Sequence, residues 1–386
     1  MTTLETGHTT PRGVLDAARS LAPAIAARAG EVEARRRVPP DLLDDLVGAG
    51  VFRILRPTTH GGAEADLAGA MRLFESLARA DASVAWTVMI GSGSWRDLVS
   101  LPRDTFDEIL CSPDVITAGA FAPSGRSVAA EGGHLVSGRW AFASGCEHAD
   151  WIYGTCVEGV ADGVPQLRTA VFAPDQVEIE DTWAVSGLCG TGSHHFRADS
   201  VVVSPDRTID RSVFEPCIDT PIVRVPIASL IALAISSVAV GCAQGALDDI
   251  VALAADKVPL LAGAHLAESP TFQLDLADAD AGLRAARALI HQLAEEAWET
   301  ASDGVEPSLP DRARARAAAV WATERAAEVV GRAFRAGGGG SIYAASPLQR
   351  RLRDIDALAQ HFLVRRDTLV TAGAILAGRE VEVAVF

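Results

Sequence analysis

The pattern of hydrophobic and polar positions divides the sequence into three stretches. From about residue 14 to residue 110, apolar residues recur at helical spacing, which predicts amphipathic helices. Between about 113 and 210, short apolar runs alternate with Gly, Pro and Asp, the pattern of an antiparallel β-domain. Helical spacing returns after Pro221, with helices expected near 222–256, 271–302, 311–336 and 346–377.

This order predicts an α+β fold in which helices and strands are segregated. We expect an N-terminal helical domain at 1–112, a central β-barrel-like domain at 113–212 and a C-terminal four-helix bundle at 213–386. The sequence contains neither a strand–glycine–helix dinucleotide fingerprint nor a GKS/T phosphate loop, so no Rossmann domain is expected.

Composition and charge limit the partners. The 386 residues include 34 basic and 50 acidic ones, a net charge of -16, which argues against nucleic-acid binding. Residues 225–247 carry no charge and are long enough to span a membrane. Their Ala, Ser and Gly content and their lack of aromatic belts favour a fully buried bundle helix, so no membrane partner is expected.

The cysteine pattern argues against a metal site. Six cysteines occur without CxxC spacing, and no His/Cys cluster has zinc-site spacing. The first residues lack the charged segment and apolar run of a signal peptide and predict a loose polar terminus. We therefore expect a cytoplasmic protein with reduced cysteines.

Four sequence strings carry a family resemblance. They are SVAWTVMIGSGSW at 83–95, GRWAFASGCEHADW at 138–151, DTWAVSGLCGTGSHHFRADSVVV at 181–203 and SPLQRRLRDIDALAQHFLV at 346–364. With the order of helical, β and helical segments, they resemble the acyl-CoA dehydrogenase superfamily over nearly the whole chain. Within it they resemble the oxygenase branch, the two-component, reduced-flavin-dependent monooxygenases called group D. The resemblance implies reduced FMN as cofactor, with FAD as the alternative, and a homotetramer.

The position of the catalytic base distinguishes the branches. A dehydrogenase removes a proton alpha to a thioester with a glutamate, which in family members follows an Arg-Asp pair or lies early in the first bundle helix. Here the eighth residue after Asp354 is Phe362, and residues 221–246 contain no acid, which favours the oxygenase branch. His361 is the candidate catalytic residue and a substrate contact, deprotonating a phenol or indole or hydrogen-bonding a flavin hydroperoxide. A histidine that only packs on a bundle helix is the alternative.

The resemblance places one β-segment along the flavin ring. Its candidate cofactor contacts are Trp140, Phe142, Ala143 and Ser144. Backbone amides and the Ser144 hydroxyl are expected to hydrogen-bond flavin N5 and O4, which makes Ser144 a candidate catalytic residue as well. Strand packing is the alternative for Trp140.

Three further regions complete the implied site. Gly190, Thr191 and Ser193 resemble a loop that meets ribityl or phosphate oxygens, with a tight turn as the alternative. A second group of cofactor contacts, reaching a neighbouring subunit's flavin, comprises Phe272, Gly338 and Gly339, with Lys257 as a possible phosphate partner. A flexible connector is the alternative for the glycines.

The substrate pocket is expected along the helix that follows Asp81. Its candidate contacts are Trp86, Ser92 and Trp95, with ordinary core packing as the alternative for Trp86. Gly91-Ser92-Gly93-Ser94 stands where many oxygenase relatives supply a histidine, which predicts either a roomier wall or a hydroxyl in place of the imidazole.

The resemblance implies a monooxygenase that receives reduced flavin from a separate NAD(P)H:flavin reductase. One oxygen atom from O2 passes through a flavin C4a-hydroperoxide to a small aromatic or heteroaromatic substrate. The alternatives are a dehydrogenase-like FAD enzyme with a non-glutamate base, an amino-sugar N-oxygenase or S-oxygenase on this scaffold, and an inactive flavin-fold binding protein.

Overall fold

The N-terminal segment is helical, as predicted. A computed structural model describes residues 10–261 and 263–381; the predicted loose terminus at 1–9 lies outside them. The first helices are α1 (Pro11–Arg35), α2 (Pro40–Gly48), α3 (Leu67–Ala80), α4 (Ala82–Gly93) and α5 (Arg103–Ile109). The side chains of Thr10, Asp66 and Asp81 accept backbone hydrogen bonds at the starts of α1, α3 and α4. Polar caps ahead of apolar runs therefore set where these helices begin.

The central segment forms one sheet of seven strands within the described residues. They are β1 (Thr117–Ala130), β2 (Gly133–Trp140), β3 (Trp151–Ala161), β4 (Val164–Phe172), β5 (Glu178–Glu180), β6 (His195–Val203) and β7 (Thr208–Asp210). Their order across the sheet is β5-β6-β2-β1-β3-β4-β7.

The sheet is mixed, so the prediction of a purely antiparallel domain was wrong. Every pair is antiparallel except β1 and β3, which run parallel. The hairpin of β1 and β2 brings the chain back to the start of β1, and residues 141–150 then cross to its other side. Because β3 starts at that same end, it follows the direction of β1. The crossover at 141–150 contains Ser144.

The C-terminal segment is helical, but its last predicted helix is broken. The helices are α6 (Pro221–Arg224), α7 (Ile227–Asp256), α8 (Pro270–Ser302), α9 (Leu309–Ala336), α10 (Pro347–Leu358) and α11 (Thr368–Leu376). The single helix predicted at 346–377 is therefore two helices. His361 has an extended backbone and begins a short 3-10 turn, Phe362–Val364, between them.

Both helical segments share one hydrophobic core, whereas the sheet has a separate core around Trp140. Helix α7 packs against α3 and α9. It is the one helix of the described residues that is long and apolar enough to cross a membrane, and 83% of its most apolar window is buried inside the protein. Its apolar surface is thus covered by other helices, which matches the prediction of a buried bundle helix. The division into three domains at 112 and 212 stays a prediction.

Candidate active site

Two segments that the sequence placed at the site lie side by side. The crossover at 141–150 meets the turn at 188–194 through backbone hydrogen bonds from Ala143 to His194 (3.0 Å) and from Gly145 to Thr191 (3.0 Å). The Ser144 amide donates to the Phe142 carbonyl (3.0 Å). These three amides already have acceptors inside the protein, contrary to the expectation that amides here are free for a ligand. The Ser144 side chain is then the group that this segment offers.

The hydroxyls of Ser144, Ser193 and Thr191 form a continuous buried line, called here the hydroxyl relay. Trp86 Nε1 donates to Ser144 Oγ at 3.0 Å. Ser144 Oγ and Ser193 Oγ are 2.7 Å apart, as are Ser193 Oγ and Thr191 Oγ1. Thr191 Oγ1 donates to the Leu188 carbonyl oxygen at 2.9 Å. The structure therefore joins Trp86, predicted on the substrate side, to the predicted flavin-side hydroxyls.

His361 lies against the other side of Trp86. The two rings meet edge-on with centroids 5.7 Å apart. Burial, aided by the charge of Arg316, lowers the pKa of His361 to about 4, so the imidazole is neutral at physiological pH. Its Nδ1 accepts a hydrogen bond from the Leu363 amide (3.3 Å), which leaves the proton on Nε2. Of the two predicted roles, this tautomer suits a hydrogen-bond donor better than a base.

Helix α4 turns a different face to this site than the sequence predicted. Ile90 and Gly93 lie four and seven positions after Trp86 and share its face, and they are the least buried residues of the helix. Ser92 is fully buried, and its hydroxyl donates to the Met89 carbonyl (3.1 Å). The Ser92 hydroxyl is thus already paired inside the helix, and the substrate contact there stays a prediction.

The predicted contacts at Trp95 and Trp140 lie in packed surroundings and stay predictions. Trp95 is 1% exposed and lies edge-on to Phe106. Trp140 is fully buried in the core of the sheet, stacks on Phe196 at 4.8 Å between centroids, and donates from Nε1 to the Thr155 carbonyl (2.7 Å). Both indoles are buried, and they differ in their polar atoms: Trp140 Nε1 is paired, whereas Trp95 Nε1 is buried without a hydrogen-bond partner among the described residues.

Phe142, in contrast, is 69% exposed beside the relay. Its φ of 65° is a left-handed conformation that a bulky side chain rarely adopts. The ring meets Trp183 and His195 edge-on, each at 6.1 Å between centroids. A strained backbone that presents an exposed aromatic ring is typical of a ligand site.

The turn that holds the relay is anchored by two residues the sequence analysis gave no role. Leu188 has a φ of 52°, its amide donates to Asp354 Oδ1 (2.7 Å), and its carbonyl accepts from both Thr191 and Trp183 Nε1 (3.1 Å). Burial and the nearby Asp81 carboxylate raise the pKa of Asp354 to about 7. Asp354 was noted as half of the Arg-Asp pair, but nothing in the sequence indicates a left-handed leucine.

Gly190 completes the anchoring of this turn. A Cβ at Gly190 would collide with Val32 of α1, so only glycine lets the turn pack this closely against the helices. Its role is thus packing, whereas Thr191 and Ser193 supply the polar groups.

The second predicted cofactor group forms a separate cluster at the end of the bundle. Lys257 Nζ donates to the Gly337 carbonyl and lies beside Gly338, where an added Cβ would be 3.4 Å from it. Gly338 and Gly339 are exposed, whereas Phe272 is buried at the start of α8. Among the described residues, no hydrogen bond or ring contact connects this cluster with Ser144 in the same chain.

These groups fit a flavin. A tricyclic ring with polar edges matches an exposed aromatic ring next to a hydroxyl acceptor and an imidazole donor, and an amine beside exposed glycines suits a phosphate. No cluster of three or more metal-binding side chains occurs in the part of the chain described. Helices flanking a mixed sheet, with this site at the sheet's crossover, match the acyl-CoA dehydrogenase architecture that the sequence strings resemble.

Comparisons with known proteins agree with that architecture. Residues 12–99 match the family model "Acyl-CoA dehydrogenase, N-terminal domain", and residues 233–366 match "Acyl-CoA dehydrogenase, C-terminal domain". An indole-3-acetate monooxygenase of Pseudomonas putida is 33% identical, over 92% of this chain and 91% of its own. The oxygenase component of an FADH2-dependent resorcinol hydroxylase of Rhizobium is 30% identical, over 89% and 88%.

A solved structure shows the same fold over nearly the whole chain. The crystal structure of a 3-HSA hydroxylase from Rhodococcus sp. RHA1 superimposes with a TM-score of 0.90 at 27% identity, covering 97% of this chain and 99% of that one. The chain belongs to the acyl-CoA dehydrogenase family and, within it, to the oxygenase components of flavin-dependent monooxygenases. It is therefore an enzyme of the branch that the sequence strings resembled.

Proposed function

We propose that the protein uses reduced FMN, or reduced FAD, to insert one oxygen atom from O2 into a small aromatic or heteroaromatic substrate. The observation that carries this proposal is a buried hydroxyl relay next to a neutral His361, at a site where a dehydrogenase has a carboxylate. The relatives named for indole-3-acetate and resorcinol support an aromatic substrate.

When bound, reduced flavin supplies the electrons and activates dioxygen. Ser144 would hold the N5 edge of the flavin through its hydroxyl, and Phe142 would contact the ring. The face of α4 formed by Trp86, Ile90 and Gly93 lines the substrate side. Trp86 and Ser144 are 7% and 8% exposed, so this wall of the site would keep water away from the activated oxygen, which water otherwise releases as peroxide.

His361 acts on the substrate as a hydrogen-bond donor. Its Nε2–H is free of the Leu363 contact and orients a hydroxyl, carboxylate or ring nitrogen of the substrate. Edge-on contact with Trp86 fixes the plane of the imidazole. A positioned donor of this kind selects aromatic rings that carry a polar group.

The assembly we propose is a homotetramer. Leu260 and Leu261 are 93% and 99% exposed in the loop that also holds Lys257. A second apolar surface, with Val370 76% and Leu376 50% exposed, lies along α11. A dimer of dimers needs two separate self-complementary surfaces, and these two supply them. The surface at Leu260 and Leu261 places Lys257 and the exposed glycines at a subunit boundary, where they meet the flavin phosphate of a neighbouring subunit.

A separate NAD(P)H:flavin reductase supplies the reduced flavin. The chain itself shows no Rossmann fingerprint, and the resorcinol relative is named as the oxygenase component of its system. All six cysteines are free, which fits a cytoplasmic location beside such a reductase.

The test supplies reduced FMN or FAD without oxygen and then mixes the complex with O2 and a panel of phenols and indoles. We expect a flavin absorbance transient that outlasts the one in free solution, and a product that carries one oxygen from 18O2. Wild-type protein that binds reduced flavin but returns all oxygen as hydrogen peroxide with every aromatic would contradict the proposal. Bleaching of bound FAD by an acyl-CoA would favour the dehydrogenase alternative. A protein with no affinity for either flavin would favour the inactive binding protein.

A further inference from the structure

The direction of every hydrogen bond in the hydroxyl relay follows from its two ends. Trp86 Nε1 can only donate, and the Leu188 carbonyl can only accept. Thr191 uses its single proton on Leu188, so Ser193 must donate to Thr191. The Ser193 proton is then used, so Ser144 must donate to Ser193.

Ser144 is left with one unused lone pair and no proton for a ligand. Its hydroxyl accepts from Trp86, donates to Ser193 and has one acceptor site remaining. An atom that approaches this site must therefore donate a hydrogen. Reduced flavin carries N–H at N5, whereas oxidised flavin presents a lone pair at the same atom.

The accepting end of the relay is held by α10. Asp354 Oδ1 accepts from the Leu188 amide at 2.7 Å, and this bond fixes the peptide whose carbonyl receives Thr191. The same carbonyl receives Trp183 Nε1, which places Trp183 against Phe142. One peptide unit thus orients both the relay and the aromatic side of the site.

We propose that Thr191, Ser193 and the Leu188–Asp354 anchor are positioning residues that fix Ser144 as an acceptor, so that the site selects reduced over oxidised flavin. This inference rests on the proposed function for the placement of flavin N5. Thr191 and Ser193 are 1% and 3% exposed, so in this inference they act on flavin N5 through Ser144.

The test measures dissociation constants for oxidised FMN and for anaerobically reduced FMN with Thr191→Val. This variant keeps the shape of the side chain but removes the hydroxyl that accepts the Ser193 proton. Ser193 can then donate to Ser144, and the Ser144 proton becomes available to the flavin. We expect the ratio of the oxidised to the reduced dissociation constant to fall about five- to tenfold, the effect of one hydrogen bond. Ser193→Ala removes the hydroxyl that accepts the Ser144 proton, so it should lower the same ratio of dissociation constants.

Two controls separate the relay from general damage to the turn. Thr191→Ser keeps the hydroxyl and should keep the wild-type ratio. Cys189→Ala alters packing in the same turn without touching the relay, and it should change both constants together or not at all. A wild-type ratio in a folded, flavin-binding Thr191→Val or Ser193→Ala protein would overturn the inference. Wild-type protein that binds neither form would instead refute the proposed function.

Discussion

At the scale of single residues, the charge state of His361 decides what the site does to a substrate. A protonated imidazole would add a positive charge beside Trp86, whereas a neutral one is a dipolar donor. Burial comes first among the causes of its lowered pKa, and the positive charge of Arg316 second. Both disfavour the cation, so the donor state persists through the physiological range.

His361 is expected to titrate near pH 4 in the folded protein, measured by NMR of its ring protons, and near pH 6.5 after unfolding in urea. Because the unfolded state binds the proton first, His361 should lower stability as pH falls through about 6.5, and His361→Gln should remove this loss. A folded-state pKa near 6.5 would contradict the neutral-donor assignment.

The two aromatic residues at the end of β2 and just after it should separate stability from cofactor binding. Trp140→Phe removes the bond to Thr155 and leaves a void in the sheet core, so we expect a loss of about 2 to 4 kcal/mol of unfolding free energy with flavin affinity retained. Phe142→Ala, at an exposed ring, should change stability little and weaken flavin binding about three- to tenfold. Urea unfolding and flavin titration of both variants check this, and the opposite pattern would restore Trp140 as the cofactor contact.

At the scale of elements, the site depends on how α10 holds the turn at 188–194. The Arg353 guanidinium donates to the Ser186 carbonyl (2.6 Å), and the Asp354 carboxylate receives the Leu188 amide (2.7 Å). Helix α4 begins at Asp81, whose carboxylate is buried near Asp354. Three elements therefore meet around two buried carboxylates directly beneath the relay.

Asp354→Asn tests this junction through pH. Because burial and Asp81 raise the pKa of Asp354 from its ordinary value of 3.8 to about 7, the folded state holds a proton that the unfolded state has lost. Wild-type stability should therefore fall as pH rises from about 4 to 7. Asn cannot ionise, so the unfolding free energy of the variant should rise relative to that of wild type between pH 4 and pH 7. We expect a relative gain of at least about 1.4 kcal/mol, the equivalent of one pKa unit. Urea unfolding of both proteins at pH 5 and pH 8 measures this gain, and Asp175→Asn, at an exposed position, is the charge control. A difference in unfolding free energy between variant and wild type that is the same at both pH values would contradict the prediction.

The accuracy of the predictions from the sequence differs between elements. Helix spacing sufficed for α1 and α3, and the four strings located the crossover at 141–150 and the turn at 188–194. The single helix predicted near 222–256 is instead divided at Val225 and Pro226 into α6 and α7, because Pro226 interrupts it. Side-chain direction did not follow from spacing: Ser92 faces the Met89 carbonyl and Trp140 the sheet core, because packing partners distant in sequence decide which side is covered. The parallel pairing of β1 with β3 and the break at His361 likewise arise from tertiary contacts rather than local propensity.

At the scale of the whole molecule, exposed apolar surface predicts how copies of the chain assemble. Two adjacent leucines with almost no cover, Leu260 and Leu261, are unusual on a monomer and common at a subunit interface. The other surface, with Val370 and Leu376 exposed on α11, adjoins at Leu376 a groove of about 640 Å³ that Leu293 and Trp321 also line. Both surfaces belong to the C-terminal segment, which leaves the crossover and the relay outside the contacts.

Serine substitutions at each surface should therefore divide the proposed tetramer in two different ways. Leu260→Ser with Leu261→Ser should give dimers by light scattering and also weaken flavin binding, because this surface holds Lys257 and the exposed glycines. Val370→Ser with Leu376→Ser should give dimers that bind flavin as wild type does, and all four changes together should give monomers. Val160→Ser, at an exposed residue of the sheet, controls for loss of apolar surface alone. A wild-type monomer that binds flavin fully would contradict the proposed assembly. Dimers of the Leu260→Ser, Leu261→Ser variant with unchanged flavin affinity would contradict a cofactor contact between subunits.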